Sequence, residues 1–162
     1  MTIPIVNDND EVIAAKNRSD LDYANDIFRT SSLWITNKKG EILLAQRAFD
    51  KQANPGKWGE AVGGVVEGED SYDETIRREA EEELGLTDIQ FNPGPKQFID
   101  HSARYFAQWY TAELDKPLEE FVLQVEEVNQ IAWISPTQLK KELAENPQKY
   151  IPAMKEICSL FL

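Results

Sequence analysis

The order of the predicted elements favours an α+β fold or an α/β/α sandwich over a regular βαβ repeat. Three observations support this class: paired apolar runs open the chain, one strong helix follows in the middle, and two helices close it. With 162 residues, 41% of them hydrophobic, the chain is long enough for one proper core. We therefore expect a single domain over residues 1–162, in which residues 1–27 form an N-terminal hairpin extension.

Two hairpins are predicted in the first third of the chain. Strands at residues 3–6 and 12–15 flank a turn-rich Asn-Asp-Asn-Asp cluster. A second pair of strands, at residues 28–36 and 41–47, flanks an Asn-Lys-Lys-Gly turn. A short strand at residues 58–62 then leads into Gly63 and Gly64.

The second half of the chain is predicted to contain four strands followed by two helices. The strands are placed at residues 89–91, 97–100, 105–113 and 128–134. The closing helices are placed at residues 136–145 and 148–160.

The strongest predicted helix covers residues 71–84. Ser71 and Glu74 have the spacing of a capping box, and Gly85 stands where a helix C-cap glycine belongs. Apolar side chains recur every fourth residue and form the expected buried stripe, at Tyr72, Ile76, Ala80 and Leu84. The start, the end and the buried face of this helix are thus all indicated locally.

Three carboxylates share another face of this helix. Glu79, Glu82 and Glu83 are spaced i, i+3 and i+4, so they project together, and like charges so placed repel each other. A bound cation would reverse that repulsion, whereas a merely solvated acidic face is the alternative. With one histidine and one cysteine in the chain, a metal would be held mainly by oxygen, which indicates Mg²⁺, Mn²⁺ or Ca²⁺.

The net charge of −12 bears on two classes of partner, nucleic acid polymers and small phosphorylated molecules. An acidic chain is repelled by the phosphate backbone, so no nucleic acid polymer is expected as a partner. A small phosphorylated substrate stays compatible with this charge if a divalent cation binds it. No apolar run approaches a membrane span, and residues 1–10 lack the features of a signal peptide, so no membrane partner and a cytoplasmic location are expected.

The segment from Gly63 to Leu86 reads GGVVEGEDSYDETIRREAEEELGL and closely resembles the Nudix hydrolase box. Every defined position of that box is present except one, since Asp70 replaces the family's glutamate. The resemblance extends more weakly to residues 33–47 and 128–139. It implies a Nudix fold, an α/β/α sandwich with a mixed central sheet, and a pyrophosphohydrolase that uses Mg²⁺ or Mn²⁺.

The resemblance also implies roles for individual box residues. Glu79, Glu82 and Glu83 resemble the family's metal ligands, and the carbonyl of Gly63 resembles a further one. Arg78 resembles the arginine that orients a box carboxylate. Because Asp70 is one methylene shorter than glutamate, part of its orienting role is expected to pass to Glu69.

Several groups are candidates for proton transfer and substrate binding. A carboxylate must take a proton from the attacking water, and Glu82, Glu83, and Glu126 or Glu127 in a later loop are the candidates. Arg47, at a strand end, is expected to clamp a phosphate, and Lys57 to contact substrate. A surface arginine and an exposed acidic loop are the plainer interpretations of Arg47 and of the later glutamates.

The predicted reaction is hydrolysis of a nucleoside diphosphate linked to another moiety, or of a related small diphosphate, by water attack at phosphorus. Residues 43–47 and 54–58 also resemble isopentenyl-diphosphate isomerase, a relative with the same fold. That enzyme uses a cysteine on the strand before the box and a histidine-rich metal site, and both are missing here, so isomerase activity is disfavoured. An inactive nucleotide-binding module is the other alternative, and a homodimer is left open.

Overall fold

The computed structural model describes residues 1–162 and contains nine β-strands and three α-helices. The strands are β1 (Thr2–Val6), β2 (Val12–Asn17), β3 (Ile27–Thr36), β4 (Ile42–Arg47), β5 (Trp58–Glu60), β6 (Val62–Val65), β7 (Asn92–Asp100), β8 (Arg104–Glu113) and β9 (Val128–Ile134). The helices are α1 (Tyr72–Leu84), α2 (Pro136–Glu145) and α3 (Met154–Phe161). A helix long and apolar enough to cross a membrane is not found among them.

Strand β3 organises a mixed sheet. It pairs in parallel with β8 along its whole length, from Ile27 opposite Arg104 to Thr36 opposite Glu113. It also pairs antiparallel with β6, while β7 extends the sheet beyond β8. Strand β4 is flanked by β5 and β9. The predicted mixed sheet is therefore confirmed.

Helices cover both faces of the sheet, as the predicted α/β/α sandwich requires. Alternate residues of β3 and β4 face opposite sides because strand side chains alternate. On one side, Leu33 and Leu43 pack with the buried stripe of α1. On the other side, Trp34 and Leu44 pack with apolar residues of α2 and α3.

Helix α1 begins and ends as its sequence predicts. The hydroxyl of Ser71 accepts a hydrogen bond from the backbone N–H of Glu74, and the Glu74 carboxylate accepts one from the backbone N–H of Ser71. Gly85 ends the helix at φ 68°, a left-handed conformation that favours glycine. The helix direction next to the sheet is therefore set by local chemistry.

The N-terminal hairpin forms and is tied to the segment that precedes α1. The carbonyl of Thr2 accepts a hydrogen bond from the N–H of Gly68 at 2.7 Å, and Arg18 forms an ion pair with Glu67 at 2.7 Å. Strand β1 also touches the main sheet where Val6 pairs with Ile27. The hairpin thus buttresses the loop between β6 and α1.

Two predicted pairings of strands need correction. The strands β3 and β4 pair only at Thr36 and Ile42, next to the turn, and then take different partners. The strand predicted at residues 58–62 is broken at Ala61, because β5 pairs with β4 whereas β6 pairs with β3. Both errors arise because the partners are remote in sequence.

Two predicted elements are wrong in extent. Residues 89–91 are irregular, and Ile89 and Phe91 instead pack against the core beside α1. The helix predicted at residues 148–160 starts only at Met154, after a 3₁₀ turn at Pro147–Lys149. Pro152 explains the break, since the residue before a proline is disfavoured in helical conformation.

Candidate functional site

Gly64 allows strand β6 to pass very close to helix α1. A methyl group added to Gly64 would lie 2.4 Å from Cδ of Glu79, a distance that real side chains do not reach. Glycine therefore lets backbone and carboxylate meet directly at this position. This close approach is the point around which the acidic side chains gather.

Glu83 is a buried carboxyl group at this point. It is 8% exposed, and burial raises its pKa to about 9, with the negative charges of Glu79, Glu127 and Glu60 acting in the same direction. A hydrogen bond from the backbone N–H of Gly63 opposes the shift. Glu83 thus sits in an environment that disfavours its own negative charge unless a cation is present.

Glu79 and Glu82 differ in how far they reach into the site. Burial raises the pKa of Glu79, although Arg78 at 2.9 Å acts to lower it. The side chain of Glu82 is half exposed and lies 3.8 Å from Arg78. The structure therefore brings Glu79 and Glu83 to the glycines, and leaves Glu82 at the solvent edge.

Arg78 links the acidic helix to the loop before it. Its guanidinium contacts Glu79 at 2.9 Å and Asp70 at 3.3 Å. The pKa of Arg78 is raised by these carboxylates, although its burial acts in the opposite direction. The shortened Asp70 therefore still pairs with the arginine, but at a distance longer than the roughly 2.7–2.9 Å of a typical charge-assisted hydrogen bond.

A cavity of about 710 Å³, here called the acidic cavity, opens beside these residues. Its charged and polar lining consists of Arg18, Arg47, Lys51, Glu67, Arg78, Glu79, Glu82, Glu83, Gln124 and Glu127. The sequence-based candidates Arg47 and Glu127 thus lie together with the box glutamates. Two other candidates, Lys57 and Glu126, are not part of the lining; Lys57 contributes its backbone carbonyl, which accepts the N–H of Arg47 at 2.9 Å.

Lys51 is a cation that the sequence analysis missed. Its ammonium group lies 2.5 Å from the carboxylate of Glu127, and both side chains are partly exposed. The guanidinium of Arg47 stands nearby in the same lining and donates through Nε to the carbonyl of Ala53 at 2.8 Å. Lys51 lies in an irregular loop, where no periodic pattern could have indicated its position.

Glu60 is a second missed residue, on the other side of β6. A methyl group added to Gly63 would lie 2.9 Å from Oε1 of Glu60, so this carboxyl group borders the same glycine pair. Burial raises the pKa of Glu60, while Arg47 and a distant hydroxyl of Ser32 act to lower it. Glu60 stands in a strand that reads as apolar packing, which is why its role was not anticipated.

The donor atoms at the site fit a hard divalent cation. They are the carboxylate oxygens of Glu79, Glu82 and Glu83, which Mg²⁺ and Mn²⁺ prefer as ligands. The mutual repulsion that raises the pKa of Glu83 would be relieved by such a cation. However, no three acidic, histidine or cysteine side chains stand close enough together to form a finished ligand set. Ligand binding would therefore require Glu82 to turn inward.

Comparisons with known proteins agree with this geometry. The family model described as the NUDIX domain matches residues 27–154. An uncharacterized Nudix hydrolase of Escherichia coli K12, YfcD, is 31% identical over 138 residues, which are 85% of this chain and 75% of that protein. An uncharacterized Nudix hydrolase of Pseudomonas aeruginosa, PA4841, is 29% identical over 158 residues, 97% of this chain and 90% of that protein.

Solved structures support the same fold. DR0079 from Deinococcus radiodurans matches with a TM-score of 0.88 at 21% identity over the whole of both chains. The NUDIX domain of Shewanella oneidensis NrtR, solved with ADP ribose, matches with a TM-score of 0.64 at 15% identity, covering 82% of this chain and 84% of that one. The relatives are named hydrolases, so the predicted subgroup resembling isopentenyl-diphosphate isomerase finds no support.

Proposed function

The chain belongs to the Nudix family and is a pyrophosphohydrolase, and from this premise we propose that it hydrolyses a nucleoside diphosphate linked to another moiety. The reaction is attack of water at phosphorus, with Mg²⁺ or Mn²⁺ bound at the acidic cavity. The observation that carries the proposal is the close approach of Glu79 and Glu83 to the two glycines of β6. Such a concentration of buried carboxyl groups next to glycine backbone suits a cation bound to a diphosphate.

The proposed metal ligands are Glu79, Glu82, Glu83 and the carbonyl of Gly63. A bound Mg²⁺ supplies charge neutralisation of the diphosphate and lowers the pKa of a bound water. Arg78 acts as a positioning residue, because it holds Glu79 by a 2.9 Å contact and links it to Asp70. Fixing these carboxylates in advance reduces the reorganisation needed when substrate binds.

Arg47 and Lys51 are proposed to bind the phosphates from the opposite wall of the acidic cavity. Both are cationic, both line the cavity, and arginine can bind a phosphate through two parallel hydrogen bonds. Lys51 forms an ion pair with Glu127 in the structure. Transfer of Lys51 to an incoming phosphate would release the Glu127 carboxylate, which is then available to accept the proton of the attacking water.

Glu82, Glu83 and Glu127 are the three candidates for the general base. Substitution by glutamine keeps the shape of each side chain and removes its ability to accept a proton. A residue that holds the metal shifts the Mg²⁺ concentration needed for half-maximal rate. A residue that acts only as the base lowers kcat at saturating Mg²⁺ by a factor of about 10²–10⁴ and leaves that concentration unchanged.

The decisive experiment is a substrate screen with Mg²⁺ and with Mn²⁺, scored by phosphate release. Structural neighbours suggest members of the panel, since one was solved with ADP ribose and another is an Ap4A hydrolase from C. elegans. The best substrate is then tested with Glu82→Gln and Glu83→Gln, using exposed Glu119→Gln as the matched control. Full activity in both variants would overturn the metal assignment. Absence of release from every diphosphate would favour the binding-module alternative.

A further inference from the structure

Two further cavities border β6, and the first of them shares Glu83 and Glu127 with the acidic cavity. Their volumes are about 230 Å³ and 170 Å³, and we call their combined space the side cleft. Both are lined by the same five residues, Arg47, Gly63, Glu60, Tyr105 and Ile151. Arg47 and Gly63 also line the acidic cavity. A ligand with its diphosphate in the acidic cavity would therefore place its adjoining group at the mouth of the side cleft.

The carboxyl group of Glu60 lies at the mouth of the side cleft and can accept more hydrogen bonds than it receives. Its Oε1 lies 3.5 Å from the hydroxyl of Ser32, longer than an ordinary hydrogen bond between oxygens. The only other donor to the carboxyl group is its own backbone N–H. A carboxyl group with two oxygens can accept several hydrogen bonds, so most of this capacity is open to a ligand.

Tyr105 brings a hydroxyl group to the same space. No group of the chain hydrogen-bonds to it, and its charge interactions are with Glu60 and Glu156. The ring is held in place by stacking on Phe28, with 5.4 Å between the ring centroids. Tyr105 therefore offers a fixed group that can both donate and accept a hydrogen bond.

The rest of the side cleft determines which chemistry suits these two groups. Ile99, Ala107 and Ile157 supply apolar surface, and Thr30, Ser32 and Gln97 add polar groups to the same lining. Trp109 is 1% exposed, and one face of Tyr105 is covered by Phe28, so the cleft lacks a broad aromatic platform for stacking a nucleobase. Fixed hydrogen-bonding oxygens above an apolar floor suit the hydroxyls and the carbon face of a sugar ring.

We propose that Glu60 and Tyr105 bind ring hydroxyls of a sugar attached to the diphosphate, and thereby select nucleoside diphosphate sugars as substrates. The inference rests on the proposed function, because the diphosphate in the acidic cavity sets where the sugar lies. Glu60 and Tyr105 are specificity residues in this account. They contact the sugar and leave the phosphorus chemistry to the box residues.

The test measures kcat and KM for UDP-glucose and ADP-ribose with Mg²⁺. The variants are Glu60→Ala, the isosteric Glu60→Gln, and Tyr105→Phe, which keeps the ring stacked on Phe28. We expect Glu60→Ala to raise KM about fivefold to a hundredfold, as for leaving a buried polar group without its partner, and Tyr105→Phe to raise it severalfold. In every variant kcat should stay within about threefold of the parent value, given that the lost contact is to the sugar. Exposed Glu119→Ala is the control for charge.

A second measurement uses analogues of UDP-glucose that each lack one ring hydroxyl. The analogue that lacks the hydroxyl bound by Glu60 should bind poorly to the parent protein, and Glu60→Ala should then make no further difference. If the affinity lost on Glu60→Ala and the affinity lost on removing a hydroxyl add up for every analogue, the proposal is overturned. An equal fall in kcat for UDP-glucose and for isopentenyl diphosphate, which has no sugar, would also overturn it, because Glu60 would then act in the reaction itself.

These experiments distinguish failure of this inference from failure of the proposed function. If the protein hydrolyses other diphosphates but neither hydrolyses nor binds sugar nucleotides, the inference fails while the function stands. If it hydrolyses no diphosphate, the function fails, and calorimetric titration with UDP-glucose in Ca²⁺ still tests the inference. In that titration, Glu60→Ala should weaken binding about fivefold or more, and unchanged binding would overturn the proposal.

Discussion

Gly63 and Gly64 are neighbours in β6, yet they border two different regions of the molecule. A methyl group on Gly64 would meet Glu79 of α1, whereas one on Gly63 would meet Glu60 of β5 and Ser32 of β3. The first region, the acidic cavity, draws its carboxylates mainly from one continuous segment. The side cleft is assembled from strands and a helix that are remote in sequence. The two regions therefore meet at β6, where Glu83 and Glu127 line both, but the first carries family chemistry and the second is assigned to substrate choice.

The largest effect is expected on the acidic side, from Gly64→Ala. The new methyl group would displace the Glu79 carboxylate, because it would lie 2.4 Å from Cδ of that side chain. A displacement of about 1 Å can lower a rate about a hundredfold, so we expect kcat/KM to fall by about that factor. Steady-state phosphate release measures it. Glu119→Ala, at an exposed position, is the control and should keep its activity. Comparable rates in both variants would refute the tight approach.

A smaller and different effect is expected on the cleft side, from Gly63→Ala. The new methyl group would lie 2.9 Å from Oε1 of Glu60, the flexible end of a side chain, which can move aside. We expect KM for UDP-glucose to rise about tenfold, while kcat changes little, since a hydrogen bond to a buried polar group is weakened. The comparison of regions would break if Gly63→Ala lowered kcat and left KM for UDP-glucose unchanged.

The acidic side should also give the metal-free protein an unusual dependence of stability on pH. The pKa of Glu83 is about 9 in the folded protein against an ordinary value of 4.5, so between these values the folded state holds a proton that the unfolded state releases. This contribution to stability is complete below pH 4.5 and is lost as pH rises toward about 9. Glu60 and Glu79, whose pKa values are also raised, act in the same direction.

Thermal unfolding in EDTA across this range measures the effect. We expect the Tm to fall by at least about 3 °C, since 1 kcal/mol shifts the Tm of a domain this size by about 2–4 °C. Glu83→Gln should flatten the profile, and added Mg²⁺ should raise the Tm most at the alkaline end. If the Tm of the parent protein and of Glu83→Gln fell equally with pH, Glu83 would not be the cause of the pH dependence.

The smallest effect is expected from Asp70→Glu, which restores the family residue of the box. Asp70 already contacts Arg78 at 3.3 Å, and the pair is partly exposed. Exposed ion pairs contribute about 0.2–1 kcal/mol, so kcat/KM should change by no more than about fivefold. Asp70→Asn serves as the control for loss of the charge. A much larger gain in Asp70→Glu would mean that the natural aspartate limits the reaction.

The predictable parts of this protein are those encoded within a few residues. The capping box at Ser71 and the C-cap glycine at Gly85 are sufficient to place both ends of α1, and the apolar runs of β8 and β9 place those strands within a residue or two. The same continuity makes the box glutamates recognisable. Local patterns of this kind need no knowledge of tertiary contacts.

The parts that were missed depend on partners far along the chain. Lys51 contacts Glu127 across 76 positions, and Glu60 meets Tyr105 only because β5 and β8 lie at the same cleft. Lys57, although close to the box in sequence, is not among the residues that line the acidic cavity, and its contact with substrate stays a prediction. Charges in irregular loops carry no periodic signal that would predict where they point.

The parallel pairing of β3 with β8 has a consequence for how this protein is made. Residue 27 pairs with residue 104, so 77 further residues must be synthesised after the start of β3 before its partner β8 begins. At about 5–20 residues per second, the box leaves the ribosome seconds before that partner does. Contacts between distant segments form late and slow the search for the native state. During synthesis the acidic helix must therefore exist for a time beside an unfinished sheet, with its carboxylates exposed to water.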